Sequence, residues 1–405
     1  MTNKSEDENE VTANAEPQSE SNEDSEIVHP IAASIDDFVH SVLDIRECVE
    51  RLVPLAVKEL NDEADRINET LKKGWELLDN SEEDEDDKII LGIKELEKGR
   101  RLADRFDRSK LIQTLVESLF INLFSAFDKL TGNLLFGLYN KKPQLFNSIN
   151  REISLAEVLQ IDSIESLKNG VLDNEIETLR RKSYIEQFKD LESRFGINLR
   201  KFKTWPMFVE ASQRRNLLTH CDGVISQQYI SVCKGVGYKT DKNRRVGDHL
   251  DIDGQYFYTS CIVVTEVGVM LAQTLWRKVL PKELSDADNH LQRLIYDFLT
   301  WEDSGVAIRL SQFAKDLPRH SNEITRRIIL INYAIALNAI GKKESAINIL
   351  ELVQYLRSNS ARKARLTNCK LVLSKRSVFF HNLRHFSSQA NERSTTQRCG
   401  MTAKV

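Results

Sequence analysis

Arg215 and His220 stand five residues apart in Gln213-Arg214-Arg215-Asn216-Leu217-Leu218-Thr219-His220-Cys221-Asp222-Gly223, the one segment whose residue types suit acid–base chemistry on a phosphate. The planar guanidinium fork grips a phosphodiester through two parallel charge-assisted hydrogen bonds and keeps its proton. Histidine moves protons, and the negative end of a helix dipole favours its imidazolium form. An asparagine one turn before the histidine, Asn216, can fix which ring nitrogen carries the proton. Together the three suit attack of an RNA 2′-hydroxyl on the adjacent phosphate, a cleavage that needs no metal.

Those residues need a helix that ends on time. Phe208, Val209, Ala211, Leu217 and Leu218 recur at helical spacing, Trp205-Pro206 marks the start and Gly223 the exit, which puts Arg215 inside the helix and His220 on its last turn. At about 100° per residue, Asn216 and His220 share a face, whereas Arg215 and His220 diverge by about 140° around the axis. One copy therefore aims them poorly at a single phosphate. Two copies packed antiparallel about a twofold axis would each bring an arginine and a histidine to one cleft, so a homodimer is expected. The competing reading is plain: on a surface helix an arginine and a histidine are solvated or paired with nearby carboxylates such as Glu210 or Asp222.

Arg215, Asn216 and His220 with the following Gly223 and Tyr229-Ile230 form an R-N-x-x-x-H arrangement that resembles the HEPN superfamily, in its RRN-x-x-x-H-x-x-G branch. Upstream, Tyr184-Ile-Glu-Gln-Phe-Lys-Asp-Leu-Glu-Ser-Arg-Phe-Gly196 is similar to the helix and turn that these proteins carry before the motif. The resemblance implies an all-α bundle and, in many relatives, a metal-independent ribonuclease serving as toxin or defence effector; other relatives are inert binding modules. It makes Arg215 the phosphate clamp, His220 the acid–base group and Asn216 the orienting residue. Thr219 and Cys221 stand where the pattern more often has Val and Asn.

The rest of the composition is consistent with helices. Of 405 residues 41% are apolar and 29% charged, with 16 Gly and 7 Pro. The net charge of −4 hides a polarity along the chain: residues 1–30 carry nine Asp/Glu against Lys4, and residues 361–405 carry ten Lys/Arg against Glu392. Residues 1–30 and 375–405 are expected to be disordered tails. The first thirty residues lack an apolar signal core, and the run Ile328–Ile340 is too short for a bilayer, so a cytoplasmic protein without membrane contact is expected. Cys48, Cys221, Cys233, Cys261, Cys369 and Cys399 form no C-x-x-C and no zinc spacing with histidine; reduced thiols, no metal and no cofactor are expected.

Between the tails, residues 31–107 read as a helical region with an acidic loop at 79–87, within which 34–77 form one long amphipathic helix or a pair, capped by Ser34. A HEPN-like helical domain is expected over 108–280. Within it Ile112, Leu115, Val116, Leu119, Leu123, Phe127 and Leu130 line one face of a helix, while Ser118, Asn122 and Ser125, with Asp128 close by, form a polar stripe. Ser125 and Asp128 could support the site from behind; a polar helix–helix seam would look the same. Residues 231–249 hold Lys234, Lys239, Lys242, Arg244 and Arg245 among three glycines and are expected to form a mobile basic loop. With Arg214 they are candidate RNA contacts, a solvated hairpin being the alternative.

The segment 281–374 resembles tetratricopeptide repeats. Leu330, Ala334, Leu337, Gly341, Ala346 and Leu350 match the small-residue, turn and packing positions, although Val353 and Ser358 replace the later Ala and Pro. An earlier hairpin, Leu294 to Pro318, places Ala307 and Ala314 seven apart, and a third helix is expected at Ala361–Leu373. Such hairpins make surfaces for a protein partner or trigger. The expected protein is thus an all-α, dimeric endoribonuclease that binds RNA. The alternatives are a non-catalytic dimerisation adaptor and, as the HEPN resemblance alone implies, a toxin-like module silenced by a nucleotidyltransferase partner.

Overall fold

Apolar residues at three- and four-residue spacing and few prolines give a chain of helices alone, with twelve α-helices, two 3-10 turns and no strand among the described residues. The computed structural model describes residues 29–80, 86–149, 152–154, 158, 160, 162–239 and 244–359. The chain divides into two compact units, Met1–Asn332 and Tyr333–Val405.

Helix α1 (Pro30–Asp79) is a single element of 50 residues that runs through Pro54, not a pair. Its cap is His29 and not Ser34. His29 Nδ1 accepts from the Ile31 N–H at 3.2 Å, its Nε2 bonds Glu283 at 2.9 Å and its ring stacks on Trp276 at 4.5 Å. Ser34 instead lies inside the helix, donating its hydroxyl to the Pro30 carbonyl at 2.8 Å. Helix α2 (Asp86–Asp107) returns along α1, and the two close tightly: a Cβ at Gly99 would sit 2.6 Å from Leu71. Asp86 and Asp87, expected in the acidic loop, occupy the first turn of α2, where free N–H groups and the helix dipole favour carboxylates.

Helix α3 (Leu111–Lys141) is the spine of the bundle. Phe120, Phe124 and Phe127 are fully buried on it, although only Phe127 stood on the face expected from the sequence. Helices α4 (Ile164–Arg180) and α5 (Tyr184–Phe195) follow; a Ser183/Glu186 capping box starts α5 and Gly196, at φ 60°, ends it as the sequence implied. Helix α6 (Trp205–Cys221) carries the motif, and its Phe208 ring lies 4.9 Å from that of Phe127. Helices α7 (Gln227–Gly235) and α8 (Gly254–Val279) complete the bundle, in which α3, α6 and α8 pack on one another and α1 packs on α3 and α8. By length and composition Asp86–Lys141 and Gly254–Val279 could each cross a bilayer, but the apolar window of the second is 83% buried in this fold.

Helices α9 (Leu284–Thr300) and α10 (Ser304–Asp316) pack together and on α8, with Ala307 and Ala314 fully buried as the small residues of a hairpin seam. Asp288 on α9 is held by Arg277 Nη1 (2.6 Å), His320 Nδ1 (3.2 Å) and the Ser321 N–H (2.5 Å). Burial works against its charge, but those hydrogen bonds and the Arg277 cation outweigh it and hold the carboxyl well below the usual carboxylate range. A depressed folded pKa stabilises above the unfolded value of about 3.9 and loses that contribution as pH falls further. The difference in thermal midpoint between the parent and Asp288→Asn is therefore expected to shrink as pH is lowered from about 5 to 2. A gap independent of pH would show that the carboxylate charge is not what holds this corner.

Helix α11 (Glu323–Ala339) spans the division between the units. In the second unit Gly341, at φ 79°, makes the turn into α12 (Lys343–Asn359), which is the place the repeat resemblance gave it. The helix expected at 361–373 lies outside the described residues, as do residues 1–28 and 375–405 of the expected tails, whereas His29 and Pro30, expected in the first tail, cap and start α1.

Candidate functional site

The motif helix ends by backbone geometry that the sequence allowed for. Asp222 takes the left-handed conformation at φ 48°, Gly223 follows at φ 75°, and the Gly223 N–H donates to the Leu217 carbonyl at 3.1 Å. Beyond the turn the chain pairs with a distant segment: Ile225 N–H donates to Asp248, Gly247 to Ile225 and Leu250 to Gly223, at 2.9–3.0 Å. Val224 and His249 form an isolated antiparallel bridge. Leu217, Ile225, Tyr229, Cys233 and Leu250 make a small core beneath it.

The two adjacent arginines part company. Arg214 is 5% exposed and points inward, where its Nε and Nη2 donate to Glu210 Oε1 at 3.0 and 2.8 Å and its Nη1 donates to the Asp251 carbonyl at 3.0 Å. Its guanidinium also lies 3.7 Å over the Tyr256 ring. Glu210, 1% exposed, accepts from Tyr229 OH and Tyr256 OH as well, both at 2.7 Å. Burial and the Glu210 charge push the Cys233 thiol up to about 12, so it stays protonated. Arg214 is therefore a structural cation and not an RNA contact, because its donors are taken inside the fold.

Arg215 is half-buried. Its Nη1 donates to Asn216 Oδ1 at 3.1 Å, while its Nε–H is buried with no hydrogen-bond partner. Asp128 on α3 lies close enough to feel its charge; burial raises the Asp128 carboxyl above its ordinary value, against the Tyr184 hydroxyl, which donates to it at 2.8 Å, and the cations Arg215 and Arg180. Of the two expected supporting residues Asp128 thus stands at Arg215, whereas Ser125 is exposed, with no hydrogen bond to the motif among the described residues. Ser118 and Asn122 are exposed too, so the polar stripe of α3 is not a helix seam among these residues. Asn216 engages Arg215; no hydrogen bond between it and His220 is present. His220 is exposed on the last turn, free of hydrogen bonds and ion pairs among the described residues.

The described part of the basic segment holds the end of α7 and a turn at 244–248. Lys234 sits in the last turn of α7, and Arg244 and Arg245 are exposed at a turn where the Asp248 carboxylate accepts from the Arg245 N–H at 2.6 Å. That turn leads directly into the segment paired with residues 223–225, just past His220. Lys239 is exposed, and Lys242 lies outside the described residues.

Two groups at the turn were missed by sequence reasoning. His249 covers Gly223 so closely that a Cβ there would meet its Nε2 at 2.7 Å, and its Nδ1 bonds Asp251 at 2.9 Å. Lys110, before the first residue of α3, has its Nζ 4.0 Å from Asp222. Neither had a local signal, since both reach the motif from more than twenty residues away in sequence. No group of three or more His, Cys, Asp and Glu side chains is arranged for a metal among the described residues. The arrangement offers one cation with an unfilled donor, one free imidazole, and a second imidazole oriented by a carboxylate.

The fold defines the protein only as an all-α chain. No family model, no curated protein and no solved structure matches it.

Proposed function

We propose that the chain is a metal-independent endoribonuclease of HEPN type. The observation that carries this reading is the helix end itself: Arg215 retains an Nε–H without an acceptor beside Asn216 and Asp128, and one turn on His220 presents an imidazole with nothing bound to it. Arg215 holds a phosphate oxygen, and the imidazole takes the proton from the 2′-hydroxyl as its oxygen bonds to phosphorus. The P–O5′ bond breaks, the leaving oxygen receives a proton from an imidazolium, and the products are a 2′,3′-cyclic phosphate and a 5′-hydroxyl. Because Arg215 and His220 diverge around the helix, a second copy supplies the complementary pair across a twofold axis. We assign the hairpins within 281–374 to binding a protein partner or trigger, as suits a toxin or defence effector.

A second reading is favoured by the half-burial of Arg215 against Asp128: a non-catalytic adaptor in which the motif knits helices together. The two readings part on chemistry. Incubated with single-stranded RNA in excess chelator, the full chain is expected to cleave and to leave 2′,3′-cyclic phosphate ends. Activity lost in chelator and restored by magnesium or manganese would sink the proposed mechanism, and no cleavage under any condition leaves the adaptor.

A further inference from the structure

Helix α2 carries a feature that the motif does not account for. Lys94, Lys98, Arg101, Arg105 and Arg108 recur at spacings of four, three, four and three residues, and all five are exposed. At about 100° per residue the four within the helix fall within roughly 60° of one another around the axis, and Arg108 follows directly after its last residue. Gly92 and Gly99 lie on the opposite side, packed on Leu78 and Leu71 of α1, so the stripe faces away from the hairpin partner. Its lower half lines a cavity of about 600 Å³ formed by Arg101, Asp104, Arg105, Arg108 and Ser109.

Ordinary surface pairing explains only part of this. Arg101 bonds Glu97, and Lys98 lies 3.9 Å from Glu95. Arg105 and Arg108 make no ion pair or hydrogen bond among the described residues. A helix C-terminus favours cations in its last turn, which covers Arg105 but not Lys94 or Lys98, two and three turns upstream. Four cations along about 17 Å of helix, with Arg108 just beyond its end, match roughly five phosphates of a stacked strand at about 3.4 Å each. The last cation, Arg108, stands two residues before Lys110 in sequence, and the Lys110 Nζ is 4.0 Å from Asp222, two residues past His220.

We propose that Lys94, Lys98, Arg101, Arg105 and Arg108 form a track for the phosphate backbone of single-stranded RNA, which Lys110 hands to the motif turn. This rests on the ribonuclease reading for its substrate and deepens it by naming where the strand runs. The contact is to phosphates, so it confers affinity without base preference.

The test uses the full chain and a fluorescent 2′-O-methyl RNA, which has no free 2′-hydroxyl and reports binding alone, titrated by anisotropy across a range of salt. Replacing Lys98, Arg101, Arg105 and Arg108 by glutamine is expected to weaken binding at least tenfold at low salt. It should also flatten the log–log salt slope by about 3, near 0.7 per lost cation. Removing the competing charges by Glu97→Gln and Asp104→Asn is expected to tighten binding. An unchanged far-UV helix signal shows that the glutamine variant is folded; if it is not, the Glu97/Asp104 variant decides alone. An unchanged slope overturns the track. So does loss of binding to anionic vesicles, or to a peptide of residues 1–28, with RNA binding intact. No cleavage of unmodified RNA by the intact chain would remove the ribonuclease reading and leave the slope result standing.

Discussion

Glu210→Ala is expected to destabilise the chain by about 3–5 kcal/mol, read as an earlier midpoint in urea denaturation, because it strands a buried cation. Arg214 is 5% exposed and donates two hydrogen bonds to one Glu210 oxygen, so the alanine leaves a guanidinium with only the Asp251 carbonyl and the Tyr256 face for company. It also frees the hydroxyls of Tyr229 and Tyr256 at once. Tyr229→Phe and Tyr256→Phe each delete one hydrogen bond and are expected to cost about 1 kcal/mol apiece. Replacing Glu210 and Arg214 together by apolar residues should cost much less than Glu210→Ala alone, since a buried pair is weak as a unit and costly when halved. A small effect of Glu210→Ala would mean that water reaches the pair and that Arg214 is not fixed inward.

That pair also explains how much of the site could be read beforehand. The boundaries of α6 were legible because Trp205-Pro206 and Gly223 are local signals, and so was the last-turn position of His220. The inward turn of Arg214 was not, since it depends on Tyr229, Asp251 and Tyr256 from three later segments, although Glu210 four residues earlier gave a hint. The same limit hid the cap of α1: His29 acts there because Glu283 and Trp276 fix its ring. By contrast the stripe on α2 was in plain view, its 4-3-4-3 spacing purely local. Spacing alone does not set it apart, because cations at three- and four-residue intervals are also what an ordinary solvated helix face with i,i+4 ion pairs shows. Residues 247–250 gave no warning of their pairing with 223–225, because three hydrogen bonds between distant segments leave no period in a sequence.

The largest effect on activity is expected at His220. If it carries the proton, His220→Ala lowers RNA cleavage by about 10²–10⁴-fold, the usual worth of a positioned acid–base group. It should leave the denaturation midpoint within about 0.5 kcal/mol, since the side chain is exposed and unbonded. Arg215→Ala should match that loss but with some cost in stability, because Asp128 is then left half-buried beside Tyr184 with Arg180 alone to offset it. Arg215→Lys separates the two roles: it restores the charge near Asp128 but not the planar fork, so stability returns and cleavage does not. His249→Ala is the control that matters most at this turn, because His249 is a second imidazole held by Asp251 against Gly223. Full activity in His249→Ala with none in His220→Ala assigns the proton to the motif histidine; the reverse moves the chemistry to His249. In a shared cleft, excess Arg215→Ala/His220→Ala chain mixed with intact chain should suppress activity far below simple dilution, because each intact copy is drawn into a pair lacking half of its groups. Activity that tracks the intact chain alone would place the whole site within one protomer, which the roughly 140° between Arg215 and His220 around α6 makes hard to build.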